Sequence, residues 1–205
     1  TTLTRVCNLA SKGPTAYAHG QVLLTGLLMD TKSLVYIALF AALTAALGLV
    51  PPISFAGLAL PPITAQSLGV MLAGSIAGAR RGGLAMLLFI ALVAIGLPLL
   101  SGGRGGFGVF AGASGGFLVA WPISAAVIGW LIGRNGTSPL RLATSISIGG
   151  ILVMYAIGIP WMAVVAKLPL SKAFMIMMAY VPGDLVKVVI AVIVTRGIRR
   201  AYPTL

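Results

Sequence analysis

Long runs without a single charge limit what this chain can fold into more than any other feature. No charged residue occurs between Lys32 and Arg80, between Arg81 and Arg104, between Arg104 and Arg134, or between Arg141 and Lys167. Apolar stretches of this length suit helices that cross ~30 Å of hydrocarbon at ~1.5 Å per residue. Composition agrees: 59% of the 205 residues are hydrophobic and 8% charged, and the mean hydropathy is +1.09. The 27 glycines, with abundant alanine, suit close helix approach in lipid, where small residues let backbones meet. The expectation is an all-α polytopic membrane protein.

Six transmembrane helices are predicted. They run from about Ser33 to Val50, closed by Pro51-Pro52; from Pro62 to Arg80-Arg81; and from Gly83 to Leu100. After the glycine-rich loop Ser101–Gly106 come Val109 to Ile132, then Leu142 to Val165 with Pro160 as a kink or break. The last spans Ala173 to Thr195 and is interrupted by Pro182-Gly183. Residues 1–28 do not fit the pattern, because the apolar patch from Val22 to Leu28 is too short to span. They are read as a mobile N-terminal extension ahead of a transmembrane domain at 29–205.

The basic residues set an orientation. Lys32, Arg80, Arg81, Arg134, Arg141, Arg196, Arg199 and Arg200 fall on one side of this topology, and Arg104, Lys167 and Lys172 on the other. The positive-inside rule then places both termini in the cytoplasm, with the glycine-rich loop and the Lys167–Lys172 loop outside. A net charge of +12 invites a nucleic-acid reading. The cations stand singly between apolar runs, however, with no basic stripe and no interleaved aromatics, so no nucleic-acid partner is expected and the charges read as anchors at the lipid surface. Cys7 and His19 are each alone of their kind, which leaves no disulfide and no metal site to argue.

The two acids of the chain are Asp30 and Asp184, and Asp184 alone lies in a predicted span. Lys187 follows at i+3, on the same helical face and close enough to pair. An ionisable residue inside a span is costly and usually faces a bundle interior or a water-filled cavity. The pair reads in two ways: as an internal lock for the last helix, or as part of a binding site. Pro182 favours binding, because it frees backbone carbonyls beside the charges, as broken helices do at substrate sites.

Ala38, Ala42 and Ala46 form a small-residue ridge along the first span, with Ala41 and Ala45 beside it. Such a ridge serves packing within the bundle or contact with a separate membrane subunit. The Ser101–Gly106 loop lacks the Lys-Ser/Thr ending of a phosphate-binding loop and follows no strand. It reads as a lid at the membrane surface that presents Arg104, either solvated or ready to hold a carboxylate by paired hydrogen bonds. No nucleophile–base set, carboxylate pair or Walker motif is visible, so no enzymatic activity is expected.

Pro182-Gly183-Asp184-Leu185-Val186-Lys187, the Ser101–Gly106 loop and Gly112-Ala113-Ser114-Gly115-Gly116-Phe117 together resemble the BioY family, the biotin-specific substrate-binding (S) components of energy-coupling-factor (ECF) transporters. Pro62-Ile63-Thr64-Ala65-Gln66 and Gly129-Trp130-Leu131 are similar too. The likeness covers residues 33 to about 200. It departs where Ala113-Ser114 replaces the family's usual Pro-Thr, and where Ala65 stands in place of a common leucine.

The resemblance implies a compact six-helix bundle in the plasma membrane of a prokaryote. Biotin would be its transported substrate, with no cofactor, and its partners a transmembrane coupling (T) subunit, ABC-type ATPases and lipid. The T subunit would meet the alanine ridge, and the ATPases would drive a reorientation that releases the vitamin inward. Biotin carries a ureido ring and a carboxylate on an apolar tail. Asp184 is expected to accept from the ureido N–H groups, Lys187 to donate to the ureido carbonyl, and Arg104 to meet the carboxylate. Trp161, Phe107 or Tyr155 would cover the apolar part. Ser101, Gly103, Ser114 and Gln66 complete the expected substrate site. S components for riboflavin or thiamine, and a lipid-modifying membrane enzyme, are the competing readings.

Overall fold

The computed structural model describes residues 30–52, 64–133 and 138–202. The expected mobile extension at 1–28 lies outside the described residues, as does most of the loop after Pro52. The chain divides into two compact units, Thr1–Leu34 and Val35–Leu205, and the second carries the features described below. Among the described residues every regular element is helical, and the one β-bridge pairs Leu100 with Arg104 across the glycine-rich turn.

Helix α1 is Thr31–Leu47. It buries Ile37, Phe40, Ala41 and Thr44, while Ala38, Ala42 and Ala46 are exposed. The residues of the predicted ridge therefore point away from the core of their own unit.

Helix α2, Gln66–Ala94, is apolar and 29 residues long, but it is not one straight rod. Gly78 adopts φ +82° and ψ 179°, far from helical values. In a straight helix, residues 73 and 82 would lie about 13.5 Å apart along the axis. Here a Cβ added to Gly82 would stand 2.6 Å from the Ala73 carbonyl oxygen. The chain folds back at Gly78 into two antiparallel arms, Gln66–Ala77 and Gly78–Ala94, and Gly82 lets the arms touch backbone to backbone. Within the first arm, Ala73–Ala77 is wound as a π-helix.

The second arm ends at Ala94, earlier than expected, because Gly96 turns away at φ +111°. The fourth expected span also begins later than its apolar residues suggest. A single short turn, Gly108–Ala111, is followed by extended backbone at Gly112 (ψ 171°), and the long helix α3 starts at Gly115 and runs to Ile132. Helix α3 is the middle of the core, touching both arms of α2 and the helix that follows. Its Ala120, Ala125, Ile128 and Ile132 are fully buried, in the same core as Met71, Met86, Phe89 and Met162.

Helix α4 is Pro139–Val165. Pro160 does not break it, contrary to expectation; the irregular stretch is a π segment at Ile148–Val153, about two to three turns upstream. Gly149 and Gly150 sit in that segment and pack against Ile128 and Met71.

Helices α5, Leu170–Met178, and α6, Val181–Ala201, form a pair bent by 51°. The break falls at Ala179–Tyr180, ahead of Pro182. Pro182 occupies the first turn of α6, where its missing N–H costs nothing because first-turn amides have no helical partner. The proline therefore begins a helix here.

Among the described residues, by length and composition alone, α2, α3 and α4 are apolar enough to span a membrane, and the α5–α6 pair adds a fourth span if it counts as one.

Candidate functional site

The first turn of α6 places Asp184 against two partners. Its Oδ2 accepts a hydrogen bond from the Tyr155 hydroxyl of α4 at 2.6 Å, and its Oδ1 is 2.9 Å from Lys187 Nζ. The Lys187 ammonium also donates to Ser67 Oγ, at the start of α2, at 2.9 Å. Three helices thus meet at one ion pair, whose side chains are only 12% and 15% exposed. The i,i+3 spacing brings the pair together, as the sequence predicts. A 2.6 Å O–H···O separation is in the range of hydrogen bonds to an ionised acceptor. A carboxylate has about four lone-pair positions and an ammonium three protons. Asp184 accepts two bonds and Lys187 gives two among the described residues, so both keep capacity for a further partner.

The pair faces a cavity with about 670 Å³ of empty space, its open mouth included. Thr64, Gln66 and Ser67 line it from the start of α2, and Leu100 and Arg104 from the glycine-rich turn. Ser114, Phe117, Leu118 and Trp121 come from the start of α3, Met154 and Tyr155 from α4, and Met177 and Tyr180 from α5 and its break. Phe117 meets the Tyr155 ring edge to face at 6.3 Å, which stiffens the aromatic wall. A Cβ on Gly158 would collide with the Phe117 ring, so this glycine lets α3 and α4 close on each other behind the site.

Of the residues expected at the site, Asp184, Lys187, Arg104, Ser114 and Gln66 line this cavity. Gln66 has a different task from the one expected. It is 1% exposed, its Nε2 donates to the carbonyls of Thr44 (3.2 Å) and Leu99 (3.0 Å), and its Oε1 accepts from Ser101 N–H (2.9 Å) and Ser101 Oγ (3.1 Å). Two donors and two acceptor positions exhaust a primary amide. Gln66 braces α1, α2 and the glycine-rich turn together and gives the cavity its shape.

Ser101 is the buried end of that brace and lies outside the cavity lining. Gly103 and Phe107 are exposed on the turn beyond it, also outside the lining. Trp161 is turned away too: it lies over Gly116 and its indole N–H donates to the Gly112 carbonyl at 3.1 Å, tying α4 to the start of α3. Arg104 is held over the turn by a 3.3 Å bond from its Nε to the Ser101 carbonyl.

Ser67, Thr64, Trp121 and Tyr180 were not expected at the site. Hydroxyls and aromatic rings within apolar helices carry no distinctive spacing, and Ser67 and Lys187 are 120 residues apart in the chain. Tyr155 also belongs to a second surface. With Ile151, Leu152, Phe174, Met178 and Leu185 it lines an apolar groove between α4 and the α5–α6 pair.

The fold and the site define a helical membrane protein with a small, partly apolar binding cavity built around one buried ion pair. Residues 19–204 match the model of the BioY family, and the chain belongs to that family. It is 52% identical over 184 residues to the biotin transporter BioY of Rhizobium etli, covering 86% of this chain and 98% of that one. It is 48% identical over 186 residues to the biotin transporter BioY of Rhodobacter capsulatus, covering 84% and 96%. A crystal structure of the S-component for biotin from an ECF-type ABC transporter superposes with a TM-score of 0.79 at 29% identity, over 84% of this chain and 95% of that one.

Proposed function

We propose that this chain is the biotin-capturing S component of an ECF-type importer, a transport subunit and not an enzyme. The observation that carries the reading is the Asp184–Lys187 pair held at the cavity by Tyr155 and Ser67. A ureido ring presents N–H donors beside a carbonyl acceptor, and a carboxylate beside an ammonium is its polar complement. The rings of Phe117, Trp121 and Tyr155 and the side chains of Leu118 and Met154 supply the apolar enclosure that the bicyclic core and tail require. Arg104 at the rim and Ser114 at the start of α3 are the groups to which we assign the carboxylate end.

In this reading the chain crosses the plasma membrane of a prokaryote six times with both termini in the cytoplasm. The fold-back at Gly78 supports that count, because it turns α2 into two arms that run in opposite directions. The outward-facing Ala38, Ala42 and Ala46 are assigned to a T subunit, itself served by ABC-type ATPases. Titration calorimetry of the purified chain tests the substrate: saturable one-to-one binding of biotin is expected, with no heat from riboflavin or thiamine. Binding of either of those vitamins, or none of biotin, refutes the assignment.

A further inference from the structure

A second concave site lies at the opposite end of α6 from Asp184. Ser138, Leu142, Arg196, Arg199 and Arg200 line about 780 Å³ of empty space, open mouth included. The three arginines are at i, i+3 and i+4, so they share one face of the last turns of α6, and like charges at this spacing destabilise a helix unless they are offset. Arg199 is fixed into the wall by a 2.8 Å bond from Nη2 to the Ser75 carbonyl in the first arm of α2. Across the cavity stands the beginning of α4, the positive end of that helix dipole, where the Ser138 side chain makes no capping bond.

No acidic residue lines the site among the described residues. Asp184 precedes Arg196 by twelve positions on the same helix, about 18 Å along the axis, and is engaged with Lys187 and Tyr155. The negative end of the α6 dipole offsets only part of the charge.

The face of α6 leading to this site is apolar. Val186, Val189, Ile190 and Ile193 are 59%, 57%, 40% and 64% exposed, and they lie three or four positions apart in a stripe that continues into Arg196 and Arg200. A stripe of exposed aliphatic side chains that ends in a concave cluster of guanidinium groups matches an amphiphile with an anionic head. Guanidinium forks fit phosphate oxygens in pairs, and basic pockets between spanning helices hold anionic head groups.

We propose that this cavity binds the phosphodiester head group of an anionic phospholipid, with the acyl chains lying along the Val186–Ile193 face of α6. The site is separate from the biotin cavity, and its occupancy does not depend on which vitamin the chain carries.

Native mass spectrometry of the full chain, titrated in detergent with phosphatidylglycerol or phosphatidylcholine, tests it. The parent should retain phosphatidylglycerol in preference to phosphatidylcholine. Arg196→Gln/Arg200→Gln should bind it roughly 25-fold more weakly, at about fivefold per cation, while Arg196→Lys/Arg200→Lys keeps most of the preference. Calorimetry with biotin should give the parental affinity in both, which separates loss of the lipid from loss of the fold. Equal retention of phosphatidylglycerol by the glutamine pair overturns the proposal. So does displacement of the lipid from the parent by an equal concentration of inorganic phosphate, which would make the site one for a free anion. If the glutamine pair cannot be purified, the lysine pair and the phosphate competition decide between these outcomes.

Discussion

Replacing Asp184 with Asn tests the site where its electrostatics are concentrated. The side chain keeps its size, so the walls of the cavity are unchanged, but the charge goes and one acceptor oxygen becomes a donor. In the parent the carboxylate receives the Tyr155 hydroxyl at 2.6 Å and the Lys187 ammonium at 2.9 Å. An Asn side chain satisfies both only by turning its oxygen to Lys187 and its amide to Tyr155, whose hydroxyl must then point its proton elsewhere. That rearrangement leaves the Asn oxygen committed to Lys187 and presents N–H groups to the ureido N–H groups. A hydrogen bond to a charged group is worth about 1.5–3 kcal/mol. At ~1.4 kcal/mol per decade, losing one such bond weakens biotin binding by about 10- to 150-fold. Calorimetry reads the affinity, and a thermal melt of the same sample confirms that the variant is folded. An affinity within threefold of the parent refutes the reasoning and makes the pair a purely structural lock. Tyr155→Phe and the double variant extend the test. Because both residues act on one carboxylate, their effects should fall short of additive by at least 0.5 kcal/mol.

Gln66→Leu should lower the melting temperature sharply while the chain still inserts, since it strips partners from the Leu99 carbonyl and the Ser101 N–H at about 1–3 kcal/mol for each buried group left unpaired. Gly82→Val should reduce the yield of folded protein, because its Cβ meets the Ala73 carbonyl at 2.6 Å and the two arms of α2 must part; a normal melt would place the fold-back elsewhere. Ala42→Trp with Ala46→Trp should abolish co-purification with the T subunit and leave biotin binding intact, as a bulky side chain on an exposed face blocks close helix approach. Single cysteines at Gly103 and Arg81 should be labelled from outside and from inside respectively, and labelling of the Gly103 site only from the cytoplasm would invert the topology.

The ion pair was legible in the sequence because charge is rare in these runs and i,i+3 spacing is a local rule. The alanine ridge was legible for the same kind of reason. Its exposure, though, follows from which side of α1 carries Phe40 and Thr44 into the core. What escaped was everything that depends on contacts between distant segments. The sequence suggests Tyr155 only as one candidate cover for the ligand, and gives no sign that its hydroxyl holds Asp184 from another helix. Gln66 enters the expected site only through the family resemblance, and only the positions of Thr44, Leu99 and Ser101 show that its amide is already fully used. Pro160 and Pro182 show the limit of local rules in another form. A proline signals a missing N–H, and whether this breaks a helix depends on where the first turn falls and on what neighbouring helices tolerate.

Tyr155 lines both the cavity and the apolar groove between α4 and the α5–α6 pair, so its ring is a wall common to the two. The wall is held by a hydrogen bond to the carboxylate proposed above to engage the vitamin. A ligand that draws on Asp184 therefore acts on the same carboxylate that fixes this wall. A variant that lets the ring swing outward would join the cavity to the groove even with the Asp184–Lys187 pair still in place.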